Sequence, residues 1–157
     1  MGPNTRCQAL IDEFIEGYYG PAAPHIRNYL NVTHDAVEAA GDWLGCFSEH
    51  TAKFLSFETL SKGWTHLKAA EQAVQGDADL RFRVQVDQLP AMYVFMMRWD
   101  EMRDAAKAAN ADWPMPESIQ ETYDHFVEIA KKKNITRLNE GQEGYGPLDE
   151  ALKRAKK

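Results

Sequence analysis

The stretch Met92-Tyr93-Val94-Phe95-Met96-Met97 (MYVFMM) decides how the rest of the chain is read. Six apolar residues in a row, three of them aromatic or β-branched, have the propensity and length of a buried strand. The flanks say otherwise. Leu80, Val84, Met92, Phe95, Met96, Trp99 and Met102 form one long apolar face when wound as a helix. The spacing therefore predicts a helix over residues 77–110, capped by Asp77, with a kink or break at Pro90. Once MYVFMM is helical, no convincing strand remains.

The other segments follow the same rule. Residues 5–18 place Cys7, Leu10, Ile11, Phe14, Ile15 and Tyr18 on one face, with Asp12, Glu13 and Glu16 on the solvent side. Gly20 and Pro21 end this helix, because glycine accepts a left-handed turn and proline cannot continue the hydrogen-bond ladder. A second helix opens near Pro24 and buries Ile26, Tyr29, Leu30, Thr33, Val37 and Ala40. Trp43, Leu44 and Phe47 add apolar weight to the connection after it. Ser56 caps a third helix, with Leu55 stapled on Leu60, a stripe of Leu60, Trp64, Leu67 and Val74, and Gly76 as its end. Pro116 opens a fifth, with Ile119, Tyr123, Phe126, Val127 and Ala130 inward. Residues 135–138 read as extended, a glycine-rich loop follows, and Pro147 starts a short last helix. The fold class is all-α: an antiparallel bundle of about five main helices plus a short C-terminal helix, in one domain over residues 1–157.

Composition narrows the function. Of 157 residues 44% are hydrophobic, enough for a core. The net charge of −6 is uneven, since residues 131–157 carry eight basic and four acidic groups. One basic tip on an acidic body is not the broad basic face that phosphate binding requires, so nucleic acid is not an expected partner. No window approaches eighteen apolar residues, so no membrane span is expected, and residues 1–7 carry no signal-peptide pattern. Cys7 and Cys46 sit among apolar neighbours and are expected as buried free thiols.

The chemistry search yields no catalytic, metal or cofactor residue. His34 and Glu38, four apart, lack a third ligand. His50 beside Glu49, with Ser48 and Cys46 near in sequence, makes no defined nucleophile–base pair. Asp100, Glu101 and Asp104 interleave with Arg98 and Arg103 as helix-surface ion pairs. GQEGYG, residues 141–146, lacks the Lys-Ser/Thr ending of a phosphate loop. The aromatics say more. Trp64 and Trp99 belong to the core stripes, whereas Tyr19, Trp113 and Tyr145 lie at loops, where such rings stack on sugars or dock on a neighbour.

One stretch is familiar. LIDEFIEGYYGPAAPHIRNYLNVTH, residues 10–34, resembles the segment that follows the catalytic barrel in a family of bacterial glycoside-hydrolase-like proteins catalogued as domain of unknown function 4838, which are similar to β-hexosaminidases and α-glucuronidases. Phe14, Glu16, Tyr18, Tyr19, Gly20, Pro21, Ala22, Ala23, Ile26, Arg27, Tyr29 and Leu30 carry the likeness. FLSFETLSKGWTHLKAAEQAV followed by RFRVQVDQLPAMYV looks like the family's helical tail, so the resemblance spans roughly residues 3–140. The barrel and its acidic residues precede this segment in that family. The resemblance thus implies a non-catalytic accessory domain, the tail of a larger protein, periplasmic or secreted, that packs on an upstream barrel. On this reading Tyr18, Tyr19, Gly20, Pro21 and Arg27 are candidate interface residues, with the GYYGPAAP turn exposed. The alternative is a stand-alone module that binds protein or oligosaccharide, with Trp113 and Tyr145 as candidate sugar-stacking residues. A third reading, an unrelated interaction protein or small enzyme, requires His34, His50 and carboxylates to converge in a pocket.

Overall fold

The structure, a computed structural model, describes residues 3–41, 50–138 and 143–155. Trp43, Leu44, Cys46, Phe47, Ser48 and Glu49 fall outside the described residues. Seven α-helices appear among those described: α1 (Pro3–Tyr19), α2 (Ala23–Ala40), α3 (Phe57–Ala73), α4 (Ala78–Met97), α5 (Trp99–Ala108), α6 (Ile119–Lys132) and α7 (Gly146–Ala155). A single 3-10 turn, Gly20–Ala22, joins α1 to α2. The all-α bundle is as the patterning predicts.

MYVFMM is helical, and its strand-like look has a physical cause. It lies in α4, which packs against α1, α3, α5, α6 and α7. A helix packed over most of its circumference keeps only a narrow solvent edge and so shows little amphipathic stripe. Val84, Leu89, Met92, Val94, Phe95 and Met96 are all buried on it. Pro90 does not break this helix, contrary to expectation. It removes one N–H from the ladder but sits on an exposed edge, and the burial on either side holds the helix together. The break comes at Arg98 instead, which leaves helical geometry at φ −119°, ψ 34°. Its guanidinium donates to the carbonyls of Leu55 (2.6 Å) and His50 (3.3 Å) and pairs with Glu101, so the α4–α5 junction is fastened to the segment before α3.

Capping confirms two of the starts and corrects a third. Ser56 Oγ accepts from the Thr59 N–H (3.1 Å), and the Asp77 carboxylate accepts from Asp79 and Leu80. The fifth predicted helix starts at Ile119 behind a Ser118 cap, not at Pro116, because Ser118 Oγ is free to accept from the Gln120 N–H. Helix α3 ends at Ala73, before Gly76. The extended reading of residues 135–138 corresponds to one isolated bridge, Arg137 to Gly144.

Glu71 fastens α3 to α4. Its carboxylate receives Lys68 Nζ (2.6 Å), Gln85 Nε2 (2.9 Å), Gln88 Nε2 (3.0 Å) and Arg81 Nε (3.3 Å). Burial pushes its pKa up, but the hydrogen bonds from Gln88, Lys68 and Gln85 outweigh that and bring it to about 2. A carboxylate with a depressed folded pKa stabilises the fold above its ordinary value of 4.5 and loses that contribution as pH falls toward 2. Glu71→Gln is expected to cost roughly 1.5–3 kcal/mol at pH 7. The gap to the parent should close between pH 4.5 and 2, as read by denaturant unfolding at several pH values.

Candidate docking surface

The apolar stripe of α1 faces outward. Leu10 is 58%, Ile11 48% and Phe14 61% exposed, while Ile15 is the buried member. Cys7 is also exposed, so the expectation of a buried thiol is wrong for it. The reason lies on the opposite side of the helix. Asp12 and Glu16, expected in solvent, both pair with Arg27 of α2, the second at 3.6 Å. With Asp12, Ile15, Glu16 and Tyr19 turned toward α2 and α4, the 100° step per residue leaves Cys7, Leu10, Ile11, Phe14 and the flank of Tyr18 outside.

The GYYGPAAP turn is tied inward rather than presented whole. Arg83 of α4 donates to the Tyr18 carbonyl (2.6 Å) and lies 4.5 Å over the Tyr18 ring, which in turn stacks on Phe14 at 5.3 Å. The Tyr19 hydroxyl hydrogen-bonds Asp87, so Tyr19 belongs to the packing between the turn and α4. Gly20 adopts φ +52°, and a Cβ there would stand 3.3 Å from Leu80, so glycine is needed for both conformation and space. Pro21 is exposed beside a groove of about 380 Å³ that also touches Gly20 and Arg27. Of the predicted interface residues, then, only Tyr18 touches the outward α1 face, through Phe14; Gly20, Pro21 and Arg27 line the groove on the Glu16 side, and Tyr19 points toward α4. Arg83 and Asp87 escaped sequence reasoning. Two opposite charges four apart, interleaved with the apolar Val84, Val86 and Leu89, were the available signal.

The loop aromatics form no free platform. Trp113 donates Nε1–H to the Pro116 carbonyl (3.0 Å) and meets Trp99 and Phe95 edge-on at 5.0 and 5.7 Å. Tyr145 donates its hydroxyl to the Ile135 carbonyl (2.6 Å) and packs edge-on against Phe126 at 6.1 Å. Both rings are half-buried and engaged. A separate cavity of about 440 Å³ opens between α2, α3, α4 and α6, walled by Leu60, Leu89, Val94 and Phe126, with Tyr29 and His50 at it. Among the described residues no carboxylate or thiol lines it, and His34 stands exposed on α2, so the expected-alternative cluster does not converge there. No group of three metal-binding side chains exists among the described residues, and no helix is long and apolar enough to cross a membrane.

Compared with protein families, curated proteins and solved structures, the chain matches none.

Asp87 sets how firmly the turn is held. Burial raises its pKa, while the Tyr19 hydroxyl and the charge of Lys133 lower it, and one of its oxygens is buried without a partner. Tyr19→Phe should therefore raise the Asp87 pKa further and cost roughly 1–3 kcal/mol at neutral pH. A carboxylate whose folded pKa is raised destabilises the fold as it ionises, so the deficit should shrink as pH falls through that pKa. Urea unfolding at pH 7 and in mild acid checks this.

Proposed function

We propose that this chain is a non-catalytic accessory helical domain of a bacterial glycoside-hydrolase-like, carbohydrate-active protein, and that it packs on the catalytic barrel through the outer face of α1. The observation that carries the reading is the exposure of Leu10, Ile11 and Phe14 on a helix that meets the bundle through buried Ile15 and the ion pairs of Asp12 and Glu16 with Arg27. Soluble domains scatter apolar residues singly over their surface, whereas a contiguous stripe of large ones marks a contact. Covering each of these side chains is worth on the order of 1–2 kcal/mol. The same stripe opens the stretch, residues 10–34, that resembles the segment following the barrel. By that resemblance the proposed location is periplasmic or secreted. The inward hydrogen bonds of Trp113 and Tyr145 give a sugar-binding module less support.

The test pairs this chain with the barrel encoded upstream of it. Leu10→Ser with Phe14→Ser should weaken association more than tenfold in titration calorimetry. The thermal midpoint of the variant chain alone should stay within a few degrees of the parent, since exposed positions contribute little to folding. Unchanged affinity, or a gene without a barrel, overturns the proposal. Oligosaccharide binding by the isolated chain would favour the stand-alone module instead.

A further inference from the structure

The cavity between α2, α3, α4 and α6 takes none of its described lining from α1 and stands apart from the docking face. Helix α2 packs on α3 and α6 packs on α4, while contact between α3 and α4 joins the two pairs. Between the pairs lies an open space of about 440 Å³. Protein interiors hold few voids larger than a water molecule. Sites for small ligands, by contrast, run from about 300 to 1,000 Å³. Two irregular segments close the sides of this space, and both are pinned. The segment before α3 contributes His50 and Leu55, whose carbonyls accept from the Arg98 guanidinium at 3.3 and 2.6 Å. The segment after α6 contributes Ile135, whose carbonyl accepts from the Tyr145 hydroxyl at 2.6 Å and whose N–H donates to the Ala130 carbonyl at 2.8 Å. Phe126, edge-on to the Tyr145 ring, belongs to the same side. Segments tied in this way are held from collapsing into the space, so the cavity is preformed and a ligand meets little ordering cost there.

The lining sets the chemistry of the ligand. Its described residues are mostly aliphatic and aromatic, and none of them is Lys, Arg, Asp or Glu. A charged group entering such a space loses its water and gains no ion pair, which is costly. Two of the hydroxyls on the wall are already engaged within the chain. Thr33 Oγ1 donates to the Leu30 carbonyl at 2.9 Å, and Thr59 Oγ1 is hydrogen-bonded to Ser56 Oγ at 3.0 Å. Tyr29 keeps its proton, because burial, helped by the negative charge of Asp87, raises its pKa. It is therefore a hydrogen-bond donor on an otherwise apolar wall. We propose that this cavity binds one small, uncharged, mainly apolar molecule carrying a hydroxyl or carbonyl group, and that the Tyr29 hydroxyl donates to that oxygen.

Fluorescence titration of the 157-residue chain with the neutral fluorophore N-phenyl-1-naphthylamine tests the site. Emission should rise and saturate at one molecule per chain. 1-Decanol should displace the probe about tenfold more effectively than decanoate or decylammonium, which carry a charge on the same apolar body. Thr33→Trp and Leu138→Trp fill the cavity from half-buried positions on different walls. Each should weaken the probe by about tenfold or more, with the thermal midpoint of the chain little changed. Tyr29→Phe should leave the probe bound but reduce the advantage of decanol several-fold, since the alcohol then loses its donor. Absence of saturation below about 1 mM probe overturns the proposal. Equal displacement by the charged analogues overturns it as well. A signal that survives both tryptophan variants but disappears in Leu10→Ser, Phe14→Ser places the probe on the α1 face and refutes the cavity as the site.

Discussion

Everything in this bundle leans on the burial of α4. Five other helices pack against it, and Leu89, Ala91, Met92, Val94, Phe95 and Met96 in its second half are all buried. A helix in that position is apolar over most of its buried second half and turns its polar groups toward partners on the neighbouring elements. That burial explains why MYVFMM looks like a strand and why Pro90 is tolerated. The contacts on either side of the proline stabilise the helix by more than one missing ladder bond costs.

Because α4 is central, the polar residues on it act as fasteners. Gln85 and Gln88 reach Glu71 on α3, Arg83 and Asp87 reach the turn after α1, and Arg98 reaches the segment before α3. Each tie uses a charged partner on at least one side, and charged hydrogen bonds out of water are stronger than neutral ones. Two ties leave a residue of cost. Asp87, on the side that holds the turn, and Gln88, on the Glu71 side, each keep one buried oxygen without a partner.

The orientation of α1 follows from these fasteners. Its amphipathic pattern alone would place Leu10, Ile11 and Phe14 against the bundle. The ion pairs to Arg27, the Tyr19–Asp87 bond and Ile15 turn the helix the other way. A bundle that holds a helix by Ile15 and by ion pairs to Arg27, and leaves Leu10, Ile11 and Phe14 out, has apolar surface for another body to cover. The GYYGPAAP turn is then the hinge that sets this geometry, with Gly20 in the left-handed region and Tyr19 as the bolt, more than it is the contact itself.

From sequence alone came the all-α class, the caps at Ser56 and Asp77, the stop at Gly20, the stripes of α3 and α6 and the first half of that of α2, because each depends on local spacing and on one residue's conformational preference. The functional candidates fared differently. Of the expected interface residues only Tyr18 lies against the outward face of α1, the face itself was not legible, and Trp113 and Tyr145 look free in sequence yet are bonded inward. Only the tertiary structure decided which side of α1 faces water, that the long helix breaks at Arg98 rather than Pro90, and that Glu71, Arg83 and Asp87 are fasteners. The physical reason is common to all three. Periodicity reports that a helix has two faces, but which one is buried depends on partners ten to seventy residues away, and no local pattern encodes those.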